Sequence, residues 1–163
     1  MKTEVLNENQ IMRICNRFAF QILENSNDFD DIHLIGIKEK GFEVAKIIEN
    51  ELKLISNKNI CLNSIKINKK NPKDPVSSDI NLKTKHETIF LIDDVLNTGK
   101  TLTYSLSFLL KFNFKSIKTL VLIDRNHKEF PIKVDYKGIS LSTNIDDNIK
   151  LVSDKKKLKA ILF

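Results

Sequence analysis

The residues best suited to chemistry lie in one stretch, residues 88–101, which reads TIFLIDDVLNTGKT. Asp93 and Asp94 follow an apolar run, and a turn containing Thr98, glycine, lysine and Thr101 comes shortly after them. If a helix begins near Thr98, its first backbone N–H groups are unpaired and its dipole favours an anion there. The glycine lets the backbone approach a ligand closely. The stretch therefore predicts an anion site beside two carboxylates.

Two carboxylates would repel that anion unless they bind a different part of the same ligand. A sugar phosphate meets this condition, because carboxylate oxygens accept hydrogen bonds from two vicinal hydroxyls while the turn binds the phosphate. The order of Asp93, Asp94 and the turn at 97–101 is therefore interpreted as a site for ribose 5-phosphate.

Three other interpretations of the same stretch were compared with this one. A P-loop also ends in Gly-Lys-Thr, but its first glycine would fall at position 94, which is Asp94. A receiver domain has acids at a strand end, but no Thr-Gly-Lys-Thr turn follows them. An ordinary helix N-terminus capped by Thr98, with no ligand, stays open on the local residues alone.

The elements that must position these residues alternate along the chain. Apolar residues at helical spacing predict a helix over 8–25, and short apolar runs predict strands. The resulting order, α-β-α-β-loop-β-α-β, indicates an α/β fold with a mainly parallel sheet covered by helices. Ligands of such sheets bind beyond the carboxyl ends of the strands, where Asp93 is expected. The predicted strands are 32–37, 60–67, 88–92 and 116–123, with later candidates at 149–152 and 160–163; the other helices contain 44–55 and 102–110.

The composition of the chain sets further limits. A length of 163 residues predicts a single domain over 1–163, and no apolar run is long enough for a membrane span. Cys15 and Cys61 have no metal-site spacing, so free thiols and a cytoplasmic setting are expected. The net charge of +6 permits phosphate-rich ligands or RNA without selecting either. Residues 68–87 are polar and aperiodic, which is typical of a functional loop.

Three segments resemble one known family. The string IFLIDDVLNTGKT resembles the phosphoribosyl pyrophosphate (PRPP) signature of type I phosphoribosyltransferases. Residues 121–136, VLIDRNHKEFPIKVDY, resemble the VLVDRGHRELPIRADY segment of the bifunctional pyrimidine operon regulator/uracil phosphoribosyltransferase family. Residues 34–41, LIGIKEKG, resemble that family's LVGIKTRG loop. The resemblance runs from about residue 10 to about residue 143, in the same order.

The resemblance implies a fold, an activity and a set of partners. The fold would be that of a type I phosphoribosyltransferase, with a small hood at about 124–145 and a flexible loop at about 68–87. The activity would be transfer of ribose 5-phosphate from PRPP to a nucleobase, with uracil favoured and UMP and pyrophosphate as products. Magnesium would be the cofactor, and a homodimer or higher homo-oligomer is expected.

The resemblance also implies a role for each matching residue. Asp93 and Asp94 would bind the ribose hydroxyls and hold magnesium through water, and together with Lys40 they form the expected catalytic set. The 5-phosphate would lie among Asn97, Thr98, Gly99, Lys100 and Thr101, and pyrophosphate would meet Lys38, Glu39, Lys40 and Gly41. The base would lie near Asp124, Arg125, Tyr136 and Lys137, although Tyr136 also suits a core position, and His127 is expected to be structural.

The chain departs from the family at three places. The family's LYRDD string is replaced by residues 66–71, KINKKN, so the arginine that would reach pyrophosphate is missing and Lys69 or Lys70 would have to substitute. Asn97 stands where relatives often carry tyrosine and purine enzymes carry aspartate, and Lys40 replaces an arginine. Three hypotheses follow: a uracil phosphoribosyltransferase, a transferase for another base, and a PRPP- or UMP-sensing RNA-binding regulator with weak or no transferase activity.

Overall fold

The computed structural model of the chain describes residues 2–28, 30–81, 88–154 and 157–163. Twelve elements follow one another along these residues. No helix within these residues is long and apolar enough to cross a membrane. The elements are β1 Thr3–Leu6, α1 Glu8–Glu24, β2 Ile32–Ile37, α2 Lys40–Ile55, β3 Ile60–Lys66, β4 Ser77–Ser78, β5 Thr88–Leu96, α3 Lys100–Leu109, β6 Ser116–Asp124, β7 Tyr136–Ser140, β8 Ile149–Asp154 and β9 Lys157–Leu162.

The strands form two sheets. The larger sheet has the order β4-β3-β2-β5-β6-β7, and every pair in it is parallel except β3 with β4. The smaller sheet is antiparallel, with the order β1-β9-β8. The predicted α/β class with a mainly parallel sheet is confirmed, and β5 lies inside the large sheet between β2 and β6.

Helix α1 shows how local sequence defines an element. Its N-cap, Asn7, accepts a hydrogen bond from the backbone N–H of Gln10 at 3.0 Å, and the Gln10 side chain accepts one from the Asn7 N–H at 2.9 Å. This reciprocal capping box satisfies two N–H groups at the helix start. The apolar stripe that predicted the helix, including Ile11, Phe18 and Ile22, is buried.

The core is divided by the large sheet. One apolar cluster contains residues of α1, α2 and the small sheet, such as Phe18, Ile48 and Leu151. The other contains α3, represented by Leu102. Neighbouring residues of β5 alternate between them, with Phe90 in the first cluster and its neighbour Leu91 in the second. This two-sided burial explains why the central strands are almost continuously apolar in sequence.

Two predicted boundaries and one unpredicted strand differ from the structure. Strand β5 was expected to stop at Ile92, but it continues through both acids to Leu96 because β6 pairs alongside it as far as Asp124. Helix α3 begins at Lys100 rather than near Thr98. Strand β1 was not predicted, because four residues are too few to show a period.

The segments predicted as a hood and as a loop each contain residues that pair as β-strands. Within 124–145, residues Tyr136–Ser140 form β7, an edge strand of the large sheet, while both ends of the chain build the separate small sheet. Within 68–87, Ser77 and Ser78 form β4 and pair with the end of β3. The Asp79 carboxylate accepts hydrogen bonds from the backbone N–H and the hydroxyl of Ser64, which holds this part of the loop against the sheet. Residues 82–87 of the predicted loop lie outside the described residues.

Candidate functional site

A cleft of about 390 Å³ opens at the carboxyl ends of the central parallel strands. Both acids of the motif line it, together with the whole turn at 97–101. Five cationic and two acidic side chains are among its described lining residues, so the cleft is suited to an anionic ligand. The lining residues are Lys40, Lys69, Asp93, Asp94, Val95, Leu96, Asn97, Thr98, Gly99, Lys100, Thr101, Leu102, Val121, Arg125, Asn148, Ile149, Lys150 and Leu151.

The two acids form a buried pair at the floor of the cleft. Asp93 is 4% exposed and Asp94 8% exposed, and the Asp93 carboxylate accepts the Asp94 backbone N–H at 2.9 Å. Burial, and secondarily the negative charge of Asp94, raises the pKa of Asp93 well above its usual range. The ammonium group of Lys69 lies 4.0 Å from the Asp94 carboxylate and opposes that rise. A pair of this kind is suited to binding a cation or hydroxyl donors.

The conformation of the turn at residues 97–101 depends on a glycine. Gly99 has φ +84°, a left-handed conformation, and a Cβ there would lie 2.5 Å from the Cγ2 atom of Ile132. Gly99 is also the N-cap of α3 and has no side chain that could cap the helix. The first N–H groups of α3 and its positive dipole end therefore face the cleft without a competing capping carboxylate, which is the arrangement that binds phosphate.

The loop between β2 and α2 lies close to the acids together with the first turn of α2, where Gly41 makes this approach possible. A Cβ on Gly41 would lie 2.8 Å from the carbonyl oxygen of Ile92 and 3.0 Å from the Asp93 carboxylate. Only glycine allows this approach. The Lys38–Glu39 peptide bond in this loop is cis. Of the four residues predicted to meet pyrophosphate, Lys40 lines the cleft, and its ammonium group also donates to Glu43 at 2.9 Å.

Among the other three, the Lys38 ammonium group lies 5.7 Å from the ring centroid of Phe42. Lys38, Glu39 and Gly41 do not belong to the described lining residues of the cleft. Their contact with pyrophosphate stays a prediction, which Gly41 supports through its backbone contact with β5.

A buried arginine connects the turn at residues 97–101 to the segment after β6. Arg125 is 2% exposed and donates to the Asn97 side-chain oxygen at 2.8 Å. It also donates to the Thr143 hydroxyl from Nε at 3.1 Å and from a terminal nitrogen at 2.8 Å. His127 contacts the Thr143 carbonyl oxygen through Nε2 at 2.5 Å, in keeping with its expected structural role. Arg125 therefore fixes Asn97 at the edge of the cleft.

The other predicted base-binding residues lie behind this edge. Asp124 is 1% exposed, and its carboxylate is close to two lysine ammonium groups, Lys128 at 3.3 Å and Lys137 at 3.7 Å. Tyr136 packs against the larger core cluster, and burial, with Asp135 and Glu24 as further causes, raises its pKa. Asp124, Tyr136 and Lys137 are not among the cleft's described lining residues, so their contact with a base stays a prediction.

Strand β8 contributes a wall of the cleft that sequence reasoning missed. Asn148, Ile149, Lys150 and Leu151 all line the cleft. The apolar pattern at 149–152 predicted a strand, but nothing in that pattern indicates that the small sheet folds over the acids. Lys69 was proposed only as a substitute for a missing arginine, and the structure places it in the cleft beside Asp94.

The chain is similar to known proteins along most of its length. The phosphoribosyl transferase domain family matches residues 1–155. Proteins named Bifunctional protein PyrR are 31% identical in Haemophilus ducreyi, covering 93% of this chain and 89% of the relative, and 32% identical in Pediococcus pentosaceus, covering 93% and 92%. A hypoxanthine-guanine phosphoribosyltransferase structure from Bacillus anthracis is 14% identical, covers 98% of this chain and 96% of its own, and superposes with a TM-score of 0.76, which shows the shared fold. The chain belongs to the phosphoribosyl transferase domain family, and within it to the group that contains the PyrR proteins.

Proposed function

We propose that the chain transfers ribose 5-phosphate from PRPP to uracil and produces UMP and pyrophosphate. The observation that carries this proposal is the cleft itself, in which the acid pair and the N-terminus of α3 face one ligand-sized space. The acids would accept hydrogen bonds from the ribose hydroxyls, and the N–H groups of residues 99–101 would bind the 5-phosphate. The two groups are separated along the chain by only four residues, residues 95–98, which suits the short distance between the parts of a ribose phosphate.

The cleft also suits the pyrophosphate that leaves. Lys40 and Lys69 both line it, and Lys69 already lies 4.0 Å from Asp94. Negative charge grows on pyrophosphate as its bond to the ribose breaks, so these ammonium groups would stabilise the transition state more than the ground state. Lys69 would thus replace the arginine that the family string carries, without that arginine's bidentate geometry.

A magnesium ion fits the donor set of the site. Asp93 and Asp94 offer carboxylate oxygens, the ligands that magnesium prefers, and their mutual repulsion favours a cation between them and PRPP. When bound, the ion would neutralise charge on PRPP and on the departing pyrophosphate. The acids themselves would orient the ribose and hold the water molecules that surround the ion.

The choice of uracil rests on the family segment at residues 121–136 rather than on a base contact. Asn97 cannot act as a general base, and its side-chain oxygen accepts a hydrogen bond from Arg125. The site thus lacks, at that position, the acid of purine enzymes. We place the base beside Arg125, with Asp124, Tyr136 and Lys137 as its proposed further neighbours.

The test is incubation with labelled PRPP, magnesium and a panel of bases, followed by separation of nucleotides. UMP should form with uracil, and no product should form without magnesium. The double variant Asp94→Ala, Thr101→Ala should lose PRPP binding in calorimetry. The control is Asp28→Ala with Thr3→Ala, two exposed residues of the same types outside the cleft. Equal PRPP affinity in both double variants, with both folded, would refute the site.

A second candidate function is a PRPP- or UMP-sensing regulator that binds RNA. It is favoured by the name of the relatives, which calls them bifunctional, and by the net charge of +6 of this chain. Binding of RNA through lysines should weaken steeply as salt rises, and UMP should change the affinity. An RNA titration at two salt concentrations, with and without UMP, measures both effects.

We also propose a cytoplasmic homo-oligomer. Cys15 and Cys61 form no disulfide within the described residues, which agrees with a reducing compartment. Phe20 is 49% exposed and Leu54 78% exposed, which leaves large apolar side chains for contact with a second copy. Light scattering after size exclusion should give a mass at least twice that of the chain.

A further inference from the structure

A second cluster of reactive side chains lies near the amino-terminal ends of β2 and β3, at the end of the strands opposite the cleft. It consists of Asp31, His33 and Cys61, whose potential ligand atoms all lie within 4.8 Å of one another. His33 and Cys61 are direct partners in the parallel pairing of β2 with β3, near the start of both strands. Along β5, the partner of His33 is Ile89, four residues before Asp93, so the cluster lies roughly 13 Å from the acids along the strand direction.

The three side chains share one face of the sheet. His33 and Ile35 are two residues apart along β2, and Cys61 and Ile65 are four apart along β3, so these four lie on one side of the sheet. Asp31 directly precedes β2, and its carboxylate lies within 4.8 Å of the ligand atoms of His33 and Cys61. Ile35 and Ile65 belong to the core cluster that contains α3, which identifies the side. His33 is 6% exposed, whereas Asp31 and Cys61 are half-buried. The cluster is therefore buried at His33 and open to solvent at the other two side chains.

The acceptors of this cluster converge on one donor. The Asn59 side-chain nitrogen donates to the Asp31 carboxylate at 3.1 Å and contacts the Cys61 sulfur at 3.7 Å. A single N–H₂ group therefore lies between a carboxylate oxygen and a sulfur, which is where a cation bound by both would lie. Asn59 belongs to the loop before β3 and is exposed, so its side chain can rotate away.

We propose that Asp31, His33 and Cys61 bind one zinc-class divalent ion, separate from the magnesium of the cleft. Imidazole nitrogen, thiolate sulfur and carboxylate oxygen form the mixed donor set that zinc accepts. Ligands of tetrahedral zinc lie roughly 3.5 Å apart, given bonds of about 2.0 to 2.3 Å, so small rotations of these side chains close the site. The Cys61 thiol proton would leave to solvent on binding.

Three protein ligands leave a fourth position for water on the open side. The ion would join the segment before β2 to the start of β3. It would thus hold these two segments together at the end of the strands opposite the cleft. Because only the folded chain brings the three ligands together, zinc should raise the thermal midpoint. At free zinc 100-fold above its Kd the rise should be roughly 5 to 10 °C.

Cobalt(II) provides the test, because its bond to a thiolate gives a charge-transfer absorption band. The chain has two cysteines, and Cys15 is a control: it is 0% exposed, and burial, with Glu51 as a lesser cause, raises its pKa to about 12. One cobalt ion per chain should bind and show the band in the parent protein and in Cys15→Ala. The band should vanish in Cys61→Ser, and zinc should displace cobalt.

Affinity measurements on further variants distinguish loss of a metal ligand from a folding defect. Asp31→Asn changes a half-buried residue and should keep the fold while weakening zinc by at least about tenfold, as loss of a metal-site partner commonly does. Asp94→Asn, in the cleft, should leave zinc affinity unchanged. The proposal is overturned if the parent protein shows no cobalt–thiolate band, if the band survives in Cys61→Ser, or if Asp31→Asn binds zinc as tightly as the parent. Each result is independent of the transferase assay.

Discussion

Gly41 offers the sharpest test of how the fold builds the cleft. In Gly41→Ala the added Cβ would meet the Ile92 carbonyl oxygen at 2.8 Å and the Asp93 Cα at 2.9 Å, both backbone atoms of β5. Relief to an ordinary contact near 3.4 Å requires the loop and the strand to separate by about 0.6 Å. That movement displaces Asp93 relative to Lys40, and both residues line the cleft where PRPP would lie.

The size of the effect follows from two estimates. Forcing one methyl group into a packed contact destabilises a protein by about 1 to 3 kcal/mol, which lowers the thermal midpoint of a chain of this length by roughly 2 to 12 °C. Misplacing catalytic groups by up to about 1 Å lowers the rate by up to roughly 100-fold. Gly41→Ala should therefore lose about 10- to 100-fold in kcat/KM for PRPP at a temperature where it is fully folded.

Gly138 supplies the matched control. A Cβ there would lie 2.3 Å from the Leu122 carbonyl oxygen and 2.8 Å from the Ile14 side chain, a backbone clash of the same kind between β7 and β6. Gly138 is not among the described residues that line the cleft. Gly138 follows the proposed base-binding residues Tyr136 and Lys137 in β7, so the comparison is made at saturating base. Gly138→Ala should lose a similar amount of stability in calorimetry yet keep its kcat/KM for PRPP when folded. Equal losses of kcat/KM for PRPP in the two variants, at equal loss of midpoint, would refute the assigned role of Gly41.

Three further outcomes are expected. Changing Lys69 and Lys70 to alanine should lower kcat more than it weakens UMP binding, because pyrophosphate charge is greatest in the transition state; equal losses would contradict this. Asp93→Asn should abolish transfer and raise the thermal midpoint at neutral pH. The pKa of Asp93 is raised in the folded chain, so its ionisation destabilises the fold as pH rises from the unfolded pKa through the folded pKa. The gain in midpoint should therefore disappear below about pH 4, where Asp93 is protonated in both states. Amide exchange over residues 68–81 should slow when PRPP and magnesium bind, and unchanged exchange would argue against a closing loop.

Much of the fold could be predicted because the relevant signals are local. The helical spacing of Ile11, Phe18 and Ile22 predicted α1, and the apolar run at 32–37 predicted β2 with its observed bounds. Alternation of such elements nearly determines a parallel sheet, since the crossover between parallel strands requires an intervening helix or long connection. The meeting of the acid pair and the turn at 97–101 in one cleft was predictable for the same reason, because these residues are neighbours along the chain.

Boundaries and short strands were predicted less well, since neighbours in space decide them. The acids were placed after the strand, whereas β6 pairs alongside β5 through Asp93 and on to Leu96. Ser77 and Ser78 look like loop residues, but Asp79 hydrogen-bonds to Ser64 and keeps them paired with β3. Tyr136 was expected in a hood, yet pairing with Leu120 makes it the start of β7. In each case a partner distant in sequence overrode the local pattern.

The sequence by itself thus determined the element order, the parallel sheet and a Thr-Gly-Lys-Thr turn preceded by two acids. Only the tertiary structure decided which side chains surround that turn: Lys69 beside Asp94, Asn97 held by Arg125, and β8 forming a wall. It also brought His33 next to Cys61, two residues that carry no motif in sequence. The physical reason is the register between strands, which is set by side-chain packing on both faces of the sheet rather than by the spacing of residues along one chain segment.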